Sequence, residues 1–546
     1  MYPKTFKLHG NIVDLLQNRI FPGTVEVADG RIASVREEAV PCRHYIMPGL
    51  VDSHVHIESS MLPPAEFARL ATVHGTVAAV ADPHEIANVL GMYGIDYMLI
   101  SAMESPFCFH FGVPSCVPAT PFETAGGTIT ARHLEELLTD GRCGFMSEMM
   151  NFPGVLNQDP QVMAKLDVAK RLGKVVDGHA PGLTGEAAAR YIDAGISTDH
   201  ECRNRGEALE KIRLGMKILI REGSAARDFT ALAPLIADHA EMLMFCSDDK
   251  HPDDLVRGHI NDLVARAVAM GIDPLKALRC ACLTPVQHYG LDLGLLQPGD
   301  RADCIVVESL ASMRVLQTYI GGRCCAEAER PLLARMAPLP VNRFAAEKVA
   351  ENDLRVAVQE GDLRVMEAVD GQLVTNSLRL APTVADGAVT ADPGRDILKL
   401  VVVNRYQPAP PAVAFIKGFG LQRGAIASSV AHDSHNIVAV GADDHALCRA
   451  INAVIDAKGG ICAAGPDGIE LLPLPIAGLM ATSDGFATAR AYTAVDAKAK
   501  GLGTPLAAPF MTLSFMALLV IPELKLSDKG LFDGITFAFT EPFVDA

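Results

Sequence analysis

Four imidazoles and two carboxylates are the residues in this sequence best placed to do chemistry. His54 and His56 stand in Pro48-Gly49-Leu50-Val51-Asp52-Ser53-His54-Val55-His56. Side chains two apart on a strand share a face, so both rings point the same way and can grip one cation. Glu148 closes Phe145-Met146-Ser147-Glu148, His179 closes Val176-Asp177-Gly178-His179, His200 closes Thr198-Asp199-His200, and Asp248 closes Cys246-Ser247-Asp248. So nitrogen-rich a set suits two divalent first-row ions, Mn, Fe or Zn, rather than Ca or Mg. Two such ions sharing a hydroxide supply a nucleophile at neutral pH, and an acidic ligand beside them takes and returns protons. The chemistry indicated is metal-assisted hydrolysis.

Six side chains this far apart in the chain meet only if regular elements carry them to one place. Short apolar runs at Val77–Ala81, Gly144–Met146, Val175–Val176, Ile196–Thr198 and Met242–Cys246 alternate with helical patterns, the signature of a parallel barrel or a doubly wound sheet. In a barrel all six would converge at the C-terminal face of the strands. Ahead of this region, Thr24–Ala28 and Arg31–Val35 alternate about Asp29-Gly30, a hairpin signal. Behind it, Gly299-Asp300-Arg301-Ala302-Asp303 and the apolar run Cys304–Val307 mark a strand that returns to the N-terminal β layer. A Pro-rich connector, Met336–Pro340, precedes a further domain with strands, glycines and helices of its own.

Composition bounds the function. The chain has 546 residues, 49% hydrophobic and 21% charged, which is ordinary for a folded enzyme and large enough for two or three domains. With 48 Lys+Arg against 65 Asp+Glu its formal charge is −17, which disfavours nucleic acid as a partner. Thirteen cysteines without a C-x-x-C pair indicate reduced thiols in the cytoplasm, and the N-terminus lacks the apolar stretch of a signal peptide. Gly501–Ile521 carries no charge, but Pro505, Pro509 and the absence of flanking basic clusters make it buried core rather than a membrane span.

The H-x-H after Pro48-Gly49-Leu50-Val51-Asp52, the later histidines, Asp248 and the return strand resemble the amidohydrolase superfamily. Within it, His54-Val55-His56-Ile57-Glu58-Ser59-Ser60-Met61, Ala81-Asp82-Pro83-His84-Glu85-Ile86-Ala87-Asn88-Val89, Gly144–Asn151 and Ala427–Asn436 resemble bacterial adenine deaminases. The resemblance spans the whole chain. It implies an α/β fold: a (β/α)8 TIM-like barrel over 48–297, a flanking β-sandwich from 1–47 and 298–335, and a C-terminal α+β domain over 341–546. It also implies hydrolytic deamination of adenine by a metal-activated hydroxide, two divalent ions per subunit, and a homo-oligomer, taken as a dimer. Where much of the superfamily bridges its metals with a carboxylated lysine, this sequence offers Glu148. Lys174 opens the strand that His179 closes and is read as structural.

Asp248 is expected to carry the proton, with the neighbouring Asp249 turned away, as the superfamily pattern favours. Glu58 is expected at the same mouth, holding or protonating the purine, or else capping a helix. His84 and Glu85 are candidates for orienting a ligand or donating to the base edge. Asp177, Asp199 and Glu201 adjoin ligands and should face the barrel wall. His432, Asp433 and His435 form an H-D-x-H group, expected to shape the pocket or a subunit contact rather than to bind a third metal. A cyclic amidohydrolase acting on dihydroorotate or a hydantoin, and a non-catalytic scaffold of the same fold, are the alternatives. The first would favour a basic residue where Glu58 stands, and the second would leave ligand positions unfilled. The cytidine-type zinc deaminases need P-C-x-x-C, which is absent.

Overall fold

The computed structural model describes residues 5–41 and 43–544, so Met1–Lys4 of the N-terminal stretch and Cys42 lie outside the described residues. Strands Leu50–Val55, Thr76–Ala81, Cys108–Val113, Phe145–Met149 and Val176–Gly178 pair in parallel in chain order. Thr198–Asp199, Lys217–Arg221 and Leu243–Cys246 form a second parallel run. The two runs join at both edges. Ser197 N donates to Val176 O at 2.9 Å, and Asp248 N donates to His54 O at 2.9 Å. The result is a closed barrel with connecting helices outside, and its strands read as unbroken apolar runs because helices cover the outer face and packed side chains fill the inner one. The strands at Cys108–Val113 and Lys217–Arg221 were not expected from the sequence. His110 interrupts the apolar run of the first, and charges at both ends disguise the second.

The flanking β layer is one hydrogen-bonded sheet of eight strands. Thr5–Asp14, Arg19–Ala28, Arg31–Glu37 and Tyr45–Pro48 come from before the barrel, and Cys304–Val307, Val315–Ile320, Arg323–Glu327 and Arg330–Pro331 from after it. The expected hairpin turns at Asp29 (φ 48°) and Gly30 (φ 81°), two left-handed residues that match the twist of the flanking strands. Leu8, Ile12, Val25, Ile32, Ile46, Cys304 and Val306 share one apolar cluster, so strands from both ends of the barrel enclose a common core.

After Pro331 the chain has no regular structure until Glu351. Beyond it lies a nine-stranded sheet, running in spatial order from Thr375–Leu380 through Asp362–Ala368, Ala412–Lys417, Leu398–Val403, Ile437–Gly441, Ala425–Ser428 and Gly460–Gly465 to Gly468–Pro473, with Phe543–Val544 paired to Asp362–Ala368. The helix Asp444–Asp456 begins where Asp443 accepts the Ala446 N–H at 2.7 Å, and it buries Leu447, Ile451 and Val454 against Val401, Ile437 and Ala439. In Gly501–Ile521, Gly501 ends the helix Gly485–Gly501 and one short helix, Pro509–Phe515, follows, and the segment is mostly buried; among the described residues no helix is long and apolar enough to cross a membrane.

The C-terminal part is seated on the barrel. Leu62, Leu70 and Ile86 of the barrel share one apolar cluster with Leu479, Met480 and Phe510. Arg69 donates to Asp484 Oδ2 at 2.9 Å, and the buried Glu66 accepts the Gly485 N–H at 3.0 Å. A chain ending at Pro338 uncovers this shared face, and size-exclusion chromatography is expected to show aggregate. A monodisperse truncated barrel would show instead that the two cores stand independently.

Candidate metal centre

The six expected ligands meet at the C-terminal mouth of the barrel, each at or just past the end of a strand. Glu148 is the hub. Its Oε1 lies 3.4 Å from His56 Nε2, and its Oε2 lies 2.9 Å from His179 Nδ1 and 3.1 Å from His200 Nε2. Asp248 Oδ1 lies 3.2 Å from His56 Nε2 and 3.6 Å from His54 Nε2. All six side chains are buried. The strand period delivers the first pair as expected, with the two Nε2 atoms of His54 and His56 3.2 Å apart. His56 Nδ1 faces the Asp82 carbonyl oxygen at 3.2 Å, so that nitrogen donates and Nε2 is left for a metal.

This donor set fits divalent metal. Imidazole nitrogens and carboxylate oxygens crowd together where neutral rings and ionised acids would otherwise hold an uncompensated buried charge, and His179 Nε2 is buried without a hydrogen-bond partner. Glu148, with one oxygen toward His56 and the other toward His179 and His200, has the geometry of a bridge. Burial alone would raise its pKa; the imidazoles of His179 and His200 outweigh that and hold it well below the usual carboxylate range. Asp248 is likewise held low against burial, by His54, His56 and Arg221.

Three residues depart from the sequence expectations. Glu201 does not face the wall: its Oε1 lies 3.6 Å from His200 Nε2 and 3.8 Å from His179 Nδ1. Asp249 is not turned away; it lines the mouth beside Asp248 and accepts from Ser59 Oγ at 2.5 Å. Glu58 is not among the side chains lining the mouth. Its Oε1 accepts the Ile86 N–H at 3.1 Å in the first turn of the helix His84–Leu90, its Oε2 has no hydrogen-bond partner, and burial pushes its carboxyl up to about 7. Asp177 and Asp199 do face the wall, where they accept from Tyr289 and Lys211. Lys174 precedes the strand Val176–Gly178, at the end opposite His179.

Arg221 escaped the sequence reading. It ends the strand Lys217–Arg221, pairs with Glu201, and donates to Asp248 Oδ2 at 2.9 Å. The signal was its position, since a charged residue closing an apolar run at a barrel mouth is placed like the ligands themselves.

The C-terminal part completes the mouth. His432 Nδ1 lies 2.6 Å from Glu85 Oε1, and His435 Nε2 contacts Glu85 Oε2. Burial would raise Glu85, yet His432, His84 and His435 hold it well below the usual carboxylate range. Leu373, Phe515, Leu518 and Val520 form an apolar wall facing the polar floor. The buried Lys525 ties that wall together by donating to the carbonyls of Leu373 at 2.6 Å and Phe515 at 2.9 Å, and burial without an acidic partner pulls its ammonium down to about 7.

The barrel and this cover match different family descriptions. Residues 45–325 match the Amidohydrolase family, and residues 372–538 match the Adenine deaminase C-terminal domain. The chain is 54% identical to the adenine deaminase of Salinibacter ruber over 546 residues, covering 100% of both chains. It is 52% identical to that of a Sulfurovum species, covering 98% of this chain and 99% of the relative. The adenine deaminase of Methanosarcina mazei is 49% identical, with 99% of this chain and 100% of the relative covered. An eight-stranded barrel that matches the Amidohydrolase family, a C-terminal part that matches the Adenine deaminase C-terminal domain, and full-length identity of about half to adenine deaminases place the chain in the metal-dependent amidohydrolase family, among the adenine deaminases.

Proposed function

We propose that this chain hydrolyses adenine to hypoxanthine and ammonia, serving purine salvage. The observation that carries the reading is the convergence of His54, His56, Glu148, His179, His200 and Asp248 at one mouth, in a chain whose full-length relatives are adenine deaminases. Those six side chains would hold two divalent ions, Mn, Fe or Zn, with Glu148 between them. When bound, such ions acidify water and supply a nucleophile near neutral pH.

The chain's own groups then handle position and protons. Water adds to C6 of adenine, and the C6–N bond breaks as ammonia leaves. Asp248 takes the proton of the attacking water and passes it to the departing amine. Arg221 suits it to this role by fixing Oδ2 and leaving Oδ1 toward the rings of His54 and His56. Glu58 lies outside the mouth and does not reach the base; it holds the first turn of the helix that carries His84 and Glu85 through the Ile86 N–H, and the second proton of the attacking water ends on the ring nitrogen. Glu85 is ionised among three imidazoles and does not suit that step; with His84 it links the barrel to the C-terminal cover. Leu373, Phe515, Leu518 and Val520 supply the apolar wall that a flat heterocycle requires.

We also read the enzyme as a cytoplasmic homodimer. The described cysteines are all free, which suits a reducing compartment, and Tyr93, Ile100 and Met103 expose apolar surface on and just beyond the helix Met92–Ala102.

Purified Mn-loaded protein is expected to release ammonia from adenine in preference to adenosine and guanine. No release from adenine overturns the assignment. Glu148→Ala is expected to lose at least one metal equivalent by elemental analysis, together with most turnover, since two cations are left with less charge compensation. Full metal content with unchanged turnover would remove Glu148 from the bridging position. Asp248→Asn keeps the shape but accepts no proton, so kcat should fall by about 10²-fold or more while KM changes little. A raised KM at normal kcat would move the proton carrier to Asp249.

A further inference from the structure

Beside the six-ligand centre, in the same mouth, stands a second cluster, assembled from both parts of the chain. His84 and Glu85 open the helix His84–Leu90 at the barrel mouth, and His432 and Asp433 follow the strand Ala425–Ser428 of the C-terminal part. We propose that His84, Glu85, His432 and Asp433 bind a third divalent transition-metal ion, which clasps the C-terminal cover to the barrel. The proposal is independent of which ions the six-ligand centre holds.

The geometry carries it. Four donors about 2.1 Å from a central ion at tetrahedral angles lie about 3.4 Å apart. Here His84 Nε2 lies 3.4 Å from Glu85 Oε1 and 3.7 Å from Asp433 Oδ1, and His432 Nδ1 lies 3.9 Å from Asp433 Oδ1. The remaining close edge, His432 Nδ1 to Glu85 Oε1, is 2.6 Å, the separation of a shared proton. A cation displaces that proton and opens the edge. One ligand atom from each of the four residues falls in a single group within 4.8 Å.

Unmet valence points the same way. His84 Nε2 is buried and makes no hydrogen bond, Glu85 Oε1 has only the His432 ring beside it, and the outer atoms of the other two residues, His432 Nε2 and Asp433 Oδ2, are buried and unpartnered as well. Each of the four residues is at most 4% exposed. Groups so deeply buried are ordinarily satisfied, and leaving several orphaned in one place is costly unless something unseen satisfies them. Charge argues for a cation. Among the described residues, the ion-pair partners of Glu85 and Asp433 are imidazoles alone, and the carboxyls of Glu58, Asp249 and Glu123 stand close enough to repel them.

The site adjoins the six-ligand centre, with His84 between the two, and uses different donor atoms. The two nitrogens of His84 face opposite ways. Nδ1 lies 3.2 Å from Asp82 Oδ2 and 3.6 Å from Glu148 Oε1, whereas Nε2 faces Glu85 and Asp433. Two imidazoles with two carboxylates select zinc, manganese or iron over calcium and magnesium.

The full chain, stripped with a chelator, reloaded with excess Zn2+ or Mn2+ and desalted, should retain three equivalents of metal by elemental analysis. Asp433→Asn and His432→Gln should each retain two, with circular dichroism confirming that the variants fold. Crystals of the zinc-loaded wild type should show an anomalous peak enclosed by the four residues, a readout that needs no variant. Two equivalents in the wild type and in both variants, with no such peak, overturn the proposal. If those variants then raise KM for adenine at constant metal content, the cluster is a purine subsite instead. Failure of the two-metal reading would appear elsewhere, as unchanged metal content in Glu148→Ala.

Discussion

The carboxylate of Glu148 sets the terms for the rest of the molecule. Buried with imidazoles on both oxygens, it forms an arrangement that is stable only if charge is balanced locally and every ring is held from behind. That demand explains the barrel. A closed parallel sheet is rigid enough to present His54, His56, His179, His200 and Asp248 around one acid. Groups further out serve the same balance: Arg221 between Glu201 and Asp248, the Asp82 carbonyl behind His56, and Lys211 drawing Asp199 away from the mouth.

How far the sequence could be read depended on whether backbone alternation held. His54 and His56 were legible because they lie at the end of a true strand, where the period of two fixes direction. Glu148 and His179 close strands that announced themselves as apolar runs. Glu201 was misjudged because its strand, Thr198–Asp199, is only two residues long, so alternation says nothing about the residue after His200. Asp248 adopts a left-handed backbone at φ 51°, and that break lets Asp249 reach the mouth as well, which an extended chain would forbid. Glu58 lies in a short 3-10 turn, Ile57–Ser60, where strand logic had already ended. The resemblance to adenine deaminases anticipated the barrel fold, whereas the contacts between His432, His435 and Glu85 join residues remote in sequence and needed the fold to appear.

The C-terminal part is therefore more than a lid of suitable size. It supplies the apolar wall over a polar floor, and its histidines engage Glu85 directly. Lys525 makes the wall a unit. Its ammonium gathers two carbonyls from separate segments, so Leu373 and Phe515 keep a fixed relation to one another. The pocket is shaped by two bodies, each of which presents half of it.

The strand Tyr45–Pro48 pairs with Thr5–Asp14 on one side and with Cys304–Val307 on the other. The second partner is separated from it by the whole barrel. During synthesis the ribosome releases the first neighbour early, while the second emerges only after the last barrel helix. Until then Ile46 and Val306 cannot complete their shared core, and the edge of Tyr45–Pro48 stays open. Such long-range pairing slows folding, because loop closure must be achieved before the contact rewards it. Completion of the flanking sheet thus acts as a late checkpoint: it seals an N-terminal layer that only a finished barrel can reach.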